Sequence, residues 1–102
     1  MKTTNEYYNR LIELKNQFPE LTFDNDGYEY LKREVQDKHK KQIEEISEIL
    51  KTTVEGFRSF NNFKPSKDGS FFVRVQYAWD RSFTGVGYFH IDKFREFEIE
   101  NK

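Results

Sequence analysis

The sequence predicts an α+β fold: two N-terminal helices, the second one long, packed on a three- to four-stranded antiparallel sheet. Three observations lead there. First, residues 71–79 alternate: Phe71, Val73, Val75, Tyr77 and Trp79 are apolar or aromatic, while Arg74, Gln76 and Asp80 share the other parity. A period of two belongs to a β-strand with one buried and one wet face. Second, Tyr28, Leu31, Val35, His39, Ile43, Ile46, Leu50, Val54 and Phe57 succeed one another at steps of three or four, the period of a straight α-helix. Third, the C-terminal half changes character: turn chemistry at Lys64 to Ser70 precedes the alternating strand, and a hairpin tip at Arg81 to Thr84 leads into a return strand from Gly85 to Ile91.

The elements follow in order. Thr3 to Glu6 has capping-box spacing, and Tyr7, Leu11, Leu14 and Phe18 then form one apolar face of a helix over about 4–18, which Pro19 stops. Residues 20–25 read as a connector. Asp26 to Glu29 repeats the capping-box spacing and opens the long helix, about 27–55, with Gly56 as its C-terminal stop. Such a helix is roughly 40 Å long at 1.5 Å per residue and overhangs a small domain. Its middle, Gln36 to Gln42, is polar all round, but no Gly or Pro interrupts it, so one continuous helix is expected.

Strands are expected at about 57–62, 70–80, 85–91 and 95–100, with Lys64 to Ser70 as turn chemistry and Arg81 to Thr84 as a hairpin tip. The segment from Asp92 also suits a short helix carrying Phe94 and Phe97. Alternation of Phe97 and Ile99 with Glu96, Glu98 and Glu100 favours a strand. Placing Phe89 and Ile91 on the buried face with Val75 and Tyr77 requires an odd hairpin loop of three or five residues. Gly85 and Gly87 then lie near Trp79 and leave room for its indole.

Composition bounds the function. A chain of 102 residues reads as one domain, 1–102. Its hydrophobic fraction is 35%, and 11 Phe, 6 Tyr and 1 Trp supply much of the core volume. Charge is balanced, at −1 overall, without the basic excess typical of proteins that live on phosphate backbones. There is no cysteine, hence no disulfide or thiolate metal site, and the two histidines lack ligand spacing, so no cofactor or metal is expected. No apolar run is long enough to span a bilayer, and the N-terminus lacks a signal-peptide stretch, which makes cytoplasmic the default. Abundant Phe, Tyr, Ile, Asn and Lys beside a single alanine, Ala78, reflect AT-rich codons, as in a low-GC bacterium or its phage.

No catalytic signature is present, so the candidate sites are surfaces. Arg74, Gln76, Tyr88 and His90 fall together on the polar sheet face and are the leading partner-binding set, although a solvated face has the same composition. Arg81 and Phe83 at the hairpin tip form a second set, because an exposed aromatic on a turn resembles an interface anchor. Glu96, Glu98 and Glu100 form an acidic row, equally suited to guarding an edge strand. Lys32, Arg33, Lys38, Lys40 and Lys41 make a basic helical band interleaved with Glu34 and Asp37.

These features lead to the expectation of a non-catalytic protein-binding inhibitor, not an enzyme, that neutralises a toxin, effector or nuclease by stoichiometric complex formation. Immunity proteins and phage anti-defence proteins, anti-CRISPR proteins among them, are of this kind. One alternative is a small RNase-like enzyme using Arg74, Tyr88 and His90. Another is a nucleic-acid-binding module using the basic band. The overhang of the long helix further suggests a homodimer formed through it.

Overall fold

The structure, a computed structural model, describes residues 4–23, 30–78, 80 and 82–95, with side chains from Glu6 onward. Helix α1 (Thr4–Gln17) matches its expected span. Leu11 and Leu14 are fully buried, and Tyr7, Tyr8, Ile12 and Phe18 pack around them, which is the face the spacing named. Pro19 ends the helix by starting a 3-10 turn (Pro19–Leu21) that drives Leu21 into the core. Thr22 then forms a parallel bridge with Phe63, and the Phe23 N–H donates to the Phe63 carbonyl at 3.0 Å. Thr22 and Phe23 therefore run along the outer edge of the first strand. The second capping box, at residues 26–29, lies outside the described residues, as do Thr3 and Tyr28.

The long helix is not continuous. The described part comprises α2 (Arg33–Lys38) and α3 (Lys40–Thr53), separated at His39, whose backbone sits at φ −112°, ψ 31°. The His39 N–H still donates to Val35 and its carbonyl accepts from Ile43, so the interruption is a one-residue kink. Its cause is the polar stretch already visible in the sequence. Nothing apolar between Val35 and Ile43 favours a straight path, whereas the bend lets His39 bury itself against Phe18, ring centroids 4.7 Å apart, and meet Glu20. Helix α3 carries the anchoring side chains, Ile46, Ile49, Leu50 and Thr53, and α2 has no fully buried residue. The overhang that suggested a helix-mediated homodimer is absent from the described residues: their extents are 38 × 35 × 28 Å.

Gly56 ends the α3 region in the left-handed conformation, φ +76°, and its carbonyl accepts from Ala78 at 2.8 Å. The strands β1 (Phe57–Pro65), β2 (Phe71–Ala78) and β3 (Thr84–His90) follow as an antiparallel sheet in the order β1-β2-β3. Ala78 pairs with Thr84, which leaves residues 79–83 as an odd, five-residue hairpin loop, and Val73 pairs with Phe89 as the parity argument required. Register shifts at Arg58 and Asn61 make β1 irregular. Trp79 lies outside the described residues. Gly87 is covered by Tyr77 and Phe89, since a Cβ there would stand 2.6 Å from the Tyr77 ring and 2.9 Å from that of Phe89.

Of the expected last strand, 95–100, only Arg95 is described. Residues 92–95 form a helical turn that buries Phe94 completely, and 96–100 lie outside the described residues. Arg95 is held on α1 by a 2.6 Å hydrogen bond to the Tyr8 hydroxyl, with its guanidinium 4.5 Å over the Tyr8 ring. Phe63, Phe94, Leu11, Leu14, Leu21, Ile46, Leu50, Val73 and Val75 are all fully buried, so the helices and the inner sheet face enclose one core. No helix among the described residues is long and apolar enough to cross a membrane.

Candidate functional site

The even-numbered residues of β2 and β3 project from the sheet face opposite the core, and the register brings Arg74 opposite Tyr88, Gln76 opposite Val86, and Phe72 opposite His90. All four sequence-predicted residues therefore share one face. They are not equally wet. Gln76 is exposed and Tyr88 is 45% exposed, but Arg74 is only 3% exposed, which corrects the expectation of a solvated face at its centre.

The cover over Arg74 is aromatic. Its guanidinium lies 4.9 Å from the Tyr30 ring centre and 5.7 Å from that of Tyr88, and its Nε donates to the Tyr88 hydroxyl at 3.1 Å. Cation–π contact and the hydrogen bond to Tyr88 thus offset part of the loss of hydration. Asn62, paired with Arg74 from β1, is fully buried beside it. Lys64 adds a second cation 4.9 Å over the opposite flank of the patch, at the Tyr88 ring. Tyr30 stands shortly before α2, and its ring reaches Arg74 from there. Tyr30 itself remains 54% exposed.

Tyr30 and Leu31 also wall two shallow hollows, one of about 210 Å³ reaching Asn62 and Lys32, the other of about 240 Å³ reaching Asn61 and Gln76. Beside them lie two buried polar atoms without a hydrogen-bond partner among the described residues, Thr22 Oγ1 and Asn61 Nδ2. Next to Tyr88, Val86 is 37% exposed, and Phe83 at the hairpin tip is 58% exposed, as its sequence position implied. Arg81 and the acidic row Glu96, Glu98 and Glu100 lie outside the described residues.

His90 sits at the far end of the face and is more engaged than the sequence suggested. Its Nε2 is 2.6 Å from Ser70 Oγ, the Asp92 N–H donates to its Nδ1 at 3.2 Å, and an Asp92 carboxylate oxygen stands 3.5 Å from Nδ1. The spacing has the outline of a Ser–His–Asp triad, but the Ser70 hydroxyl is shared: besides meeting His90 it donates to the Asp68 carboxylate. The Ser70 hydroxyl, with its backbone N–H, holds the Asp68 carboxyl down at about 2, as suits a turn clasp. Neither Ser70 nor Asp68 carried a spacing signal toward His90, because the β2–β3 register alone joins them.

The basic band is split by the kink. Lys32 precedes α2, Arg33 and Lys38 lie on α2, and Lys40 and Lys41 open α3, with Lys38 engaged to Glu20 at 3.1 Å. Glu20 accepts from His39 as well, and these two bonds hold its carboxyl below the usual range. His39 is thus a packed core histidine. No group of acidic and histidine side chains among the described residues is arranged to hold a metal. No protein-family model matches the sequence, and neither a curated protein nor a solved structure matches it.

Proposed function

We propose that the protein acts by binding another protein through the outer face of its sheet, as a stoichiometric inhibitor of a toxin, effector or nuclease of the immunity or anti-defence type. The observation that supports this reading is the pair of half-exposed tyrosines, Tyr30 and Tyr88, clamped on a buried arginine. Tyrosine and arginine are the residues most enriched at interface hot spots, and a side chain already fixed in place loses little conformational freedom on binding. Val86 and Phe83 extend the aromatic surface along β3 and the hairpin tip. Lys64 and Arg74 give it a positive centre, so its complement is an apolar patch bearing acidic groups.

Engagement of the His90 ring favours this reading over the RNase-like one, since Nε2 meets Ser70 and Nδ1 accepts from the Asp92 N–H. Splitting of the basic band by the kink likewise weakens the case for a continuous phosphate-binding stripe. Titration of a partner captured with the intact protein tests the proposal. Tyr30→Ala and Tyr88→Ala should each weaken the complex roughly 30-fold, about 2 kcal/mol. Unchanged affinity for both variants refutes the face as the contact surface.

A further inference from the structure

The two edges of the sheet are treated very differently. The outer edge of β1 is bulged at Arg58 and Asn61 and covered by Thr22 and Phe23. Among the described residues β3 has none of these protections. From Thr84 to Phe89 it carries no charged residue and no proline, its pairing with β2 is regular throughout, and no strand among the described residues lies against its other side. Exposed edges are ordinarily guarded by lysine, proline, bulges or a covering segment, because an unguarded edge templates a further strand. After β3 the chain turns away at Ile91, and Arg95 is fastened to α1.

We infer that β3 is a self-association edge, which pairs antiparallel with β3 of a second copy about a two-fold axis at Gly87. The hydrogen-bonding parity permits it. The Ile91 N–H donates to the Phe71 carbonyl at 3.0 Å, so odd-numbered residues direct their backbone groups at β2. Thr84, Val86, Tyr88 and His90 direct theirs outward. An axis at Gly87 sets Val86 opposite the partner's Tyr88 and Thr84 opposite the partner's His90, each pair exchanging both N–H···O bonds. The side chains suit the same register. Val86 against tyrosine is a favourable β-branched–aromatic pair on the outer face, while on the inner face Phe89 stays over its own Gly87 beneath Lys93. No like charges are brought together along 84–89. The product is a continuous sheet whose two Tyr30–Arg74–Tyr88 patches face the same way, so the dimer presents the proposed docking surface twice.

The test combines sedimentation with residue-resolved amide exchange on the full chain. The expected result is a concentration-dependent monomer–dimer equilibrium in which Val86 and Tyr88 amides gain at least tenfold protection in the dimer. Gly87 and Phe89 amides, already bonded to β2, should not change with concentration. Val86→Pro removes an outward donor that the internal ladder does not use, and should yield a folded monomer. Val86→Lys, which leaves the backbone intact, should do the same by charging the edge. A protein monomeric at all concentrations overturns the inference. So does a dimer that survives both substitutions, or protection of Val86 and Tyr88 that is independent of concentration.

Discussion

Arg74 shows how much one residue depends on its neighbours. At 3% exposure its charge is tolerated because Tyr30 and Tyr88 supply ring faces and the Tyr88 hydroxyl accepts from Nε. Arg74→Ala is expected to lower stability by about 2 kcal/mol in urea unfolding, from lost stacking and a lost hydrogen bond. Arg74→Lys should recover less than half of that, since an ammonium lacks the planar stacking fork. Two glycines offer a sharper contrast. Gly56 and Gly69 both have positive φ, but a Cβ on Gly56 would overlap the Ala78 carbonyl oxygen, whereas one on Gly69 meets open space. Gly69→Ala should cost about 1 kcal/mol, the left-handed penalty alone, and Gly56→Ala at least ~2 kcal/mol more. Asp68 governs part of the acid limb. Its folded carboxyl titrates at about 2 against an ordinary 3.8, so its contribution is complete above the ordinary value and is lost as pH falls through the folded one. Asp68→Asn should therefore flatten the stability profile between roughly pH 4 and pH 2, read from thermal midpoints across that range.

At the scale of elements, periodicity located what packing holds and failed where packing is absent. The alternation in β2 and the odd hairpin loop were legible because Val73, Val75 and Phe89 have one core to face. The kink at His39 was hidden, since helical spacing continues through it and only the polar surroundings hint at a bend. The bulge at Asn61 disguised β1 by burying two consecutive asparagines, which no alternation rule anticipates. The aromatic cover of Arg74 was equally unreadable, because Tyr30 lies far from it in sequence and outside the sheet. Unequal anchoring of the helices has a measurable consequence. Leu50→Ala should cost about 2–5 kcal/mol, and Val35→Ala, half-buried on α2, less than ~1 kcal/mol. By the same logic α2 amides should exchange through local opening with little denaturant dependence, while those of α3 follow global unfolding.

For the molecule as a whole, the division of labour lies between the two faces of one sheet. The inner face and the helices supply the core; the outer face gathers exposed aromatics around a buried cation, with β3 the last strand on one side among the described residues. Parity placed Arg74, Gln76, Tyr88 and His90 on that outer face from the sequence alone, but the part played by Tyr30 needed the fold. Hydroxyl-radical footprinting of the protein, free and bound to its captured partner, tests the assignment most directly. Tyr30 and Tyr88 should lose most of their reactivity on binding, while Tyr7 and Tyr8 on α1 keep theirs. Full reactivity of Tyr30 and Tyr88 in the complex would contradict the account.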